Sequence, residues 1–195
     1  VNSGSTDKVQ RYISNCNSMG INVLPPNINT SGIDFTPKHN SILFGFSAIK
    51  NLGDSAIKKI ISSRDEDGEF TSLAQFCDRI SLGAINRRGL EALIHCGALD
   101  CLDENQNRAQ LIADLDLIIE WASSRAKDRI SGQGNLFDLS SSLTDELSID
   151  DDYSSAPKAK LVNEYPPSDK LKLEKEHVGF YLSDHPLKQL SDPVK

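Results

Sequence analysis

The chain has no Cys-x-x-Cys pair, no long apolar run, and only one tryptophan and one methionine in 195 residues. Each absence excludes something. Without paired cysteines at chelating distance, Cys16, Cys77, Cys96 and Cys101 do not form a zinc site, and the histidines His39, His95, His177 and His185 have no such pair to join. Cys77 and Cys96 fall instead within apolar helical patterns, where cysteine behaves as a small hydrophobe, and a reduced, cytoplasmic protein is expected. No stretch approaches the roughly 20 apolar residues of a membrane span, so no membrane partner is expected. The opening "VNSGSTDKVQ" lacks the order of a secretory signal and an initiator methionine, and reads as a piece of something larger.

The chain carries few aromatics, 6%, and a formal charge of -7, which argues against nucleic-acid binding by bulk electrostatics. The charge is uneven, however. Asp138, Asp145, Glu146 and Asp150 to Asp152 fall in a tract without a lysine or arginine before Lys158, whereas residues 41–96 are near balance and include Lys50, Lys58, Lys59, Arg87 and Arg88. Any DNA contact must therefore be local.

Hydrophobic spacing predicts a mainly α protein with little β structure: a tandem helix-hairpin-helix domain, a long amphipathic helix and mobile linkers. Val9, Tyr12, Ile13 and Cys16 recur at helical spacing between a Ser5 or Thr6 cap and Gly20. Pro25 and Pro26 force "INVLPPNINTS" into extended geometry, and "SILFGF" reads as a strand or the lead into a helix. Two helix-turn-helix units follow, residues 47–62 and 73–98, with Ile49, Leu52, Ile57, Ile60, Phe76, Leu90, Leu93 and Ile94 as their expected shared core. A long helix then presents Leu111, Ile112, Leu115, Ile118, Ile119 and Ala122 on one face and ends near Arg129. A polar tract to about Ser168 reads as flexible, and a last helix with Leu171, Val178, Phe180 and Leu182 on its apolar face is expected to stop at Pro186.

In the first unit, "NLGDSA" must reverse the chain at Asn51 to Gly53. Glycine supplies backbone freedom there, and asparagine tolerates left-handed geometry. Leu52 tucks between the helices. The amides after Gly53 then face out at a helix N-terminus, where partial positive charge favours a phosphate. Ser55, Lys58 and Lys59 lie beside them, while Asp54 suits the helix dipole but repels a phosphate. The second unit offers Gly83 at its turn, Asn86 as an N-cap, and Arg87 and Arg88 at the helix start. Binding of this kind grips the backbone of duplex DNA and is blind to base sequence. The same hairpin also serves as a plain packing unit.

The order of "MGINVLPPNIN", "FGFSAIKNLGDSAIKKII", "INRRGLEALIHCGALD", "QGNLF" and "LEKEHVGFYLSDHPL" resembles the C-family replicative polymerases, the alpha subunits of bacterial DNA polymerase III, across essentially the whole chain. The hairpin loop of the motif usually reads Gly, apolar, Gly; Asn51 takes the place of the first glycine. The resemblance implies the end of the fingers region at residues 1–40, the tandem hairpin domain at 41–130, a sliding-clamp-binding peptide at 131–139, an acidic linker at 140–168, and a helix at 169–195 leading into an OB-fold domain. It implies a DNA-directed DNA polymerase as the parent chain, with Mg2+ at a palm domain lying upstream. No carboxylate pair here matches that palm motif, so no catalytic residue, metal site or cofactor is assigned to these residues. Other replicase subunits would be met through the parent chain.

The resemblance also explains "SGQGNLFDL", where two large apolar residues stand in polar, serine-rich surroundings. Gln133, Leu136 and Phe137 match a clamp peptide of glutamine, two variable residues and an apolar pair, in which the pair enters a pocket on the ring and the amide satisfies its edge. Taken alone, the pair reads more readily as a hydrophobic clasp folded back on the long helix. Two alternatives remain from the residues: a stand-alone helix-hairpin-helix repair or junction module, and an independent nuclease using Asp150 to Asp152. Consecutive carboxylates in a serine-rich run are usually solvated.

Overall fold

The computed structural model describes residues 6–80, 83–102, 107–131, 153–179 and 181. Among these, six α-helices and one small sheet form the chain, so it is mainly α with little β, as the spacing predicts. Helix α1 (Thr6–Ser18) turns Val9 and Ile13 toward the core. Gly20 follows at φ +75°, and the Ile21 amide returns to the Cys16 carbonyl at 2.9 Å, closing the helix end. Tyr12, expected on the inward face, is 59% exposed.

Strands β1 (Asn22–Leu24), β2 (Thr36–Lys38) and β3 (Ser41–Leu43) pair in the order β1-β3-β2, β1 parallel and β2 antiparallel to the central strand. Ile42 faces Val23 on one side and Pro37 on the other. Pro37 is tolerated because β2 is an edge. The boundary expected at Asn40 thus runs through a sheet. The loop after β1 docks too: the Ile28 amide bonds the Ala98 carbonyl at 2.8 Å, Asn29 exchanges two 2.8 Å bonds with the Phe70 backbone, and Arg64 donates to the Ile28 and Ser31 carbonyls.

The helical body consists of α2 (Asp54–Asp67), α3 (Leu73–Arg79), α4 (Arg87–His95), α5 (Arg108–Ser131) and α6 (Pro167–Val178). The first arm of the first hairpin is a single 3₁₀ turn, Phe46–Ala48, rather than a helix. Gly45 before it and Ile49 after it are both extended, which leaves no room for an α-helical ladder. All eight residues expected in the hairpin core are buried, joined by Phe44, Phe46, Phe70 and Leu99. On α5, Leu111, Leu115, Ile118 and Ala122 are buried against the same core, with Ile112 and Ile119 at its margin. Cys77 and Cys96 lie inside it, and burial pushes each thiol up to about 12, so they act as apolar filler.

Residues 153–166 differ from the flexible tract expected there. Tyr153–Ser155 form a 3₁₀ turn, and an extended strap then runs along α5, held by α5 side chains. Asp114 accepts from the Ala159 amide at 2.7 Å, Gln110 from Val162 at 2.8 Å, and Asn107 donates to the Val162 carbonyl at 2.8 Å. Glu164 in turn accepts from the Arg108 and Ala109 amides, capping α5 from outside the helix. Burial raises the Glu164 carboxyl, but the Lys170 ammonium and three backbone amides outweigh it and hold the group below the usual carboxylate range.

Helix α6 also differs from expectation, because it ends at Val178, well before Pro186. Gly179 adopts φ +98° and returns its amide to the Lys175 carbonyl at 2.7 Å. Leu171 and Val178 are buried, so α6 belongs to the body; Phe180 and Leu182 lie outside the described residues. No helix among the described residues is long and apolar enough to cross a membrane.

Candidate nucleic-acid interface

The turn between the 3₁₀ segment and α2 is built by one residue in left-handed geometry. That residue is Asn51, at φ +64°; Gly53 sits in ordinary extended geometry at φ -79° and ψ 156°. The backbone freedom expected of Gly53 is therefore used at Asn51 instead. A Cβ at Gly53 would meet nothing within 4 Å among the described residues, so none of their contacts requires glycine there. Leu52 is buried, as expected, and its neighbours Asn51 and Gly53 are exposed.

Helix α2 begins without a side-chain cap. Its first ladder bond runs from the Ile57 amide to the Gly53 carbonyl at 3.1 Å, so the amides of Asp54, Ser55 and Ala56 precede the ladder at the positive end of the helix. Ser55, Lys58 and Lys59 are exposed, while Ala56 and Ile57 anchor the turn from below. Neither lysine is ion-paired among the described residues. Asp54 occupies the first turn and partly offsets this field.

The second hairpin differs in kind. Asn86 caps α4 by accepting from the Gly89 amide at 2.8 Å, so its side-chain oxygen is already committed. Arg87 bonds Glu91 at 2.8 Å and also pairs with Asp116 on α5. These two residues, expected at the phosphate, are turned to internal partners. Gly83 and Arg88 are exposed, and no carboxylate among the described residues pairs with Arg88. The pairing of Arg87 was not legible because Asp116 lies 29 positions away.

The two hairpins converge at one point. A Cβ at Gly89 would stand 3.1 Å from the Asn51 carbonyl oxygen and 3.0 Å from Ile85 Cγ1, so the first turn of α4 backs directly onto the left-handed turn. Gly89 permits that approach. Asn51, Gly53, Ser55, Lys58, Lys59 and Arg88 thus belong to neighbouring helix starts.

Lys50 was not among the residues singled out for this site. Its amide donates to the His177 carbonyl and its ammonium to the Glu176 carbonyl, both at 2.9 Å, at the C-terminal end of α6. Beside this contact His177 stacks on His95, with ring centroids 5.1 Å apart and planes at 19°. Burial, then the neighbouring His177, pushes His95 down to about 4, and burial lowers His177 as well. Both rings are therefore neutral near pH 7, which suits stacking.

Gln133, Leu136 and Phe137 lie outside the described residues. The chain on either side is held at one buried carboxylate. Asp78 on α3 accepts two bonds from Arg129, at 2.8 and 2.9 Å, and one from the Tyr153 hydroxyl at 3.4 Å. No cluster of three or more metal-ligating side chains occurs among the described residues.

The family model for the helix-hairpin-helix motif matches residues 20–111, a span that includes both hairpins. The kinship is narrower than the motif. Over nearly its whole length the chain is a relative of the DNA polymerase III alpha subunits. It is 37% identical over 184 residues to "DNA polymerase III subunit alpha" of Deinococcus radiodurans, covering 94% of this chain and 13% of that protein. It is 37% identical over 192 residues to that of Neisseria meningitidis serogroup A, covering 98% of this chain and 16% of the relative. The subunit of Bacillus subtilis is 38% identical over 184 residues, covering 94% of this chain and 15% of the relative. The chain thus corresponds to a small part of each.

Proposed function

We propose that this chain is a non-catalytic, DNA-holding part of a DNA-directed DNA polymerase, gripping duplex phosphates at the start of α2. The observation that carries this reading is the uncapped α2 N-terminus. Ser72 caps α3 and Asn86 caps α4, whereas the α2 start has no side-chain partner and is flanked by exposed Lys58 and Lys59. A phosphate oxygen supplies the missing acceptor, and the open space over Gly53 lets a backbone approach. Arg88 adds charge from the second hairpin. Nucleotidyl transfer and its Mg2+ would belong to other segments of such a polymerase, because the residues here hold no matching carboxylate pair.

Such binding is sequence-independent and weakens with salt as counterions are released. Fluorescence titration of a labelled duplex at several salt concentrations tests it. Arg88→Ala is expected to weaken binding about threefold or more and to reduce the salt slope by about one. Arg87→Ala should do less, because that guanidinium is already occupied by Glu91 and Asp116. Equal effects, or binding indifferent to salt, would count against phosphate gripping.

A second activity, docking on the sliding clamp, is supported by the phrase "QGNLF" and by kinship with polymerase subunits. Leu136 and Phe137 would fill an apolar pocket on the ring and Gln133 its polar rim. Each apolar side chain contributes roughly 1.5–3 kcal/mol when buried, less the cost of ordering the segment. Micromolar affinity suffices, since a chain already on DNA meets an encircling ring at high effective concentration.

A further inference from the structure

We infer that α6 is a strut that sets the geometry of the α2 turn, with Lys50 as the positioning residue joining the two. This inference rests on the phosphate-gripping reading and concerns a residue that does not itself meet the phosphate.

The left-handed residue Asn51 is held from both sides. On one side its carbonyl backs onto Gly89 at the first turn of α4. On the other, the preceding residue, Lys50, donates both its amide and its ammonium to the last carbonyls of α6, Glu176 and His177, at 2.9 Å each. The last carbonyls of a helix have no partner within it and carry its negative end, so a lysine is favoured there. The contact satisfies two such carbonyls and fixes both backbone and side chain of Lys50. The turn that orients the Asp54, Ser55 and Ala56 amides is thereby fixed to a helix far along the chain.

The strut is firmly seated. Glu174 on α6 is 1% exposed and pairs with Arg108 of α5 at 2.9 Å. Arg108 is held in turn by Asp100 at 2.7 Å and donates to the His95 carbonyl at 3.0 Å. Leu171 and Val178 are buried, and His177 stacks on His95. A displacement of α6 would release Lys50 and remove the support on one side of Asn51.

Duplex binding by the whole chain carrying Lys50→Met, measured across a range of salt, tests this. Methionine keeps the stem but loses the ammonium donor. Positioning predicts about fivefold weaker binding at every salt concentration with an unchanged salt slope, whereas direct phosphate contact would reduce the slope by about one. Glu174→Gln provides the second reading. It removes a negative charge, which by long-range electrostatics alone strengthens DNA binding, yet loosening the strut predicts weaker binding with the wild-type slope. Lys50→Met binding like wild type, or with a reduced slope, overturns the strut. If the wild-type chain shows no salt-dependent binding, phosphate gripping fails and the strut with it. If wild type and Arg88→Ala behave as expected while Lys50→Met is silent, only the strut fails.

Discussion

Arg108→Met is expected to lower the unfolding free energy by about 3–5 kcal/mol, the typical cost of removing one partner of a buried ion pair. The Arg108 side chain is 6% exposed, and its partners Glu174 and Asp100 come from different parts of the chain. Burial disfavours its charge, but the hydrogen bonds and charges of Asp100 and Glu174 more than compensate, and the guanidinium stays protonated above its ordinary range. Methionine fills much of the volume yet withdraws the Arg108 charge from the buried Glu174 carboxylate. A double variant, Arg108→Met with Glu174→Leu, should recover most of the loss, because apolar pairs often replace buried ion pairs at little cost. Urea denaturation of the three chains measures both steps. A loss under about 1 kcal/mol for the single variant would mean that this pair does not seat α6.

Replacing Leu136 and Phe137 together by alanine is expected to weaken binding to a ring-shaped sliding clamp by at least about 100-fold. Two buried apolar side chains contribute roughly 3–6 kcal/mol before ordering costs, and each 1.4 kcal/mol is tenfold in affinity. Clamp docking predicts an unchanged thermal midpoint. Titration calorimetry with the clamp reads the affinity directly. Equal affinities for the two chains would remove clamp docking from the proposed role, and a lowered midpoint would return the pair to the folded body.

The core was legible because its signal is local. Ile57, Ile60, Leu90, Leu93 and Ile94 recur at helical spacing, and all are buried. Asn51 could likewise be read as left-handed, because few other residues tolerate that geometry. What escaped the sequence depends on partners distant along the chain. Glu164 caps α5 from more than 50 positions away, Lys50 reaches α6 across 126, and Asp116 engages Arg87 across 29. No periodicity encodes such pairings. For the same reason residues 153–166 read as a linker: their polar composition is that of a loop, and the α5 side chains that hold them lie far upstream. At the candidate site, the N-cap role of Asn86 was legible, but the engagement of Arg87 by Asp116 on α5 was not.

Amide chemical shifts recorded during titration with a short duplex test the central claim most directly. Gripping at α2 predicts that the Asp54, Ser55 and Ala56 amide protons move downfield together as DNA is added, with those of α3 little affected, and that added salt reverses the change. Shifts confined to other surfaces, with these three amides unmoved at saturation, would contradict it.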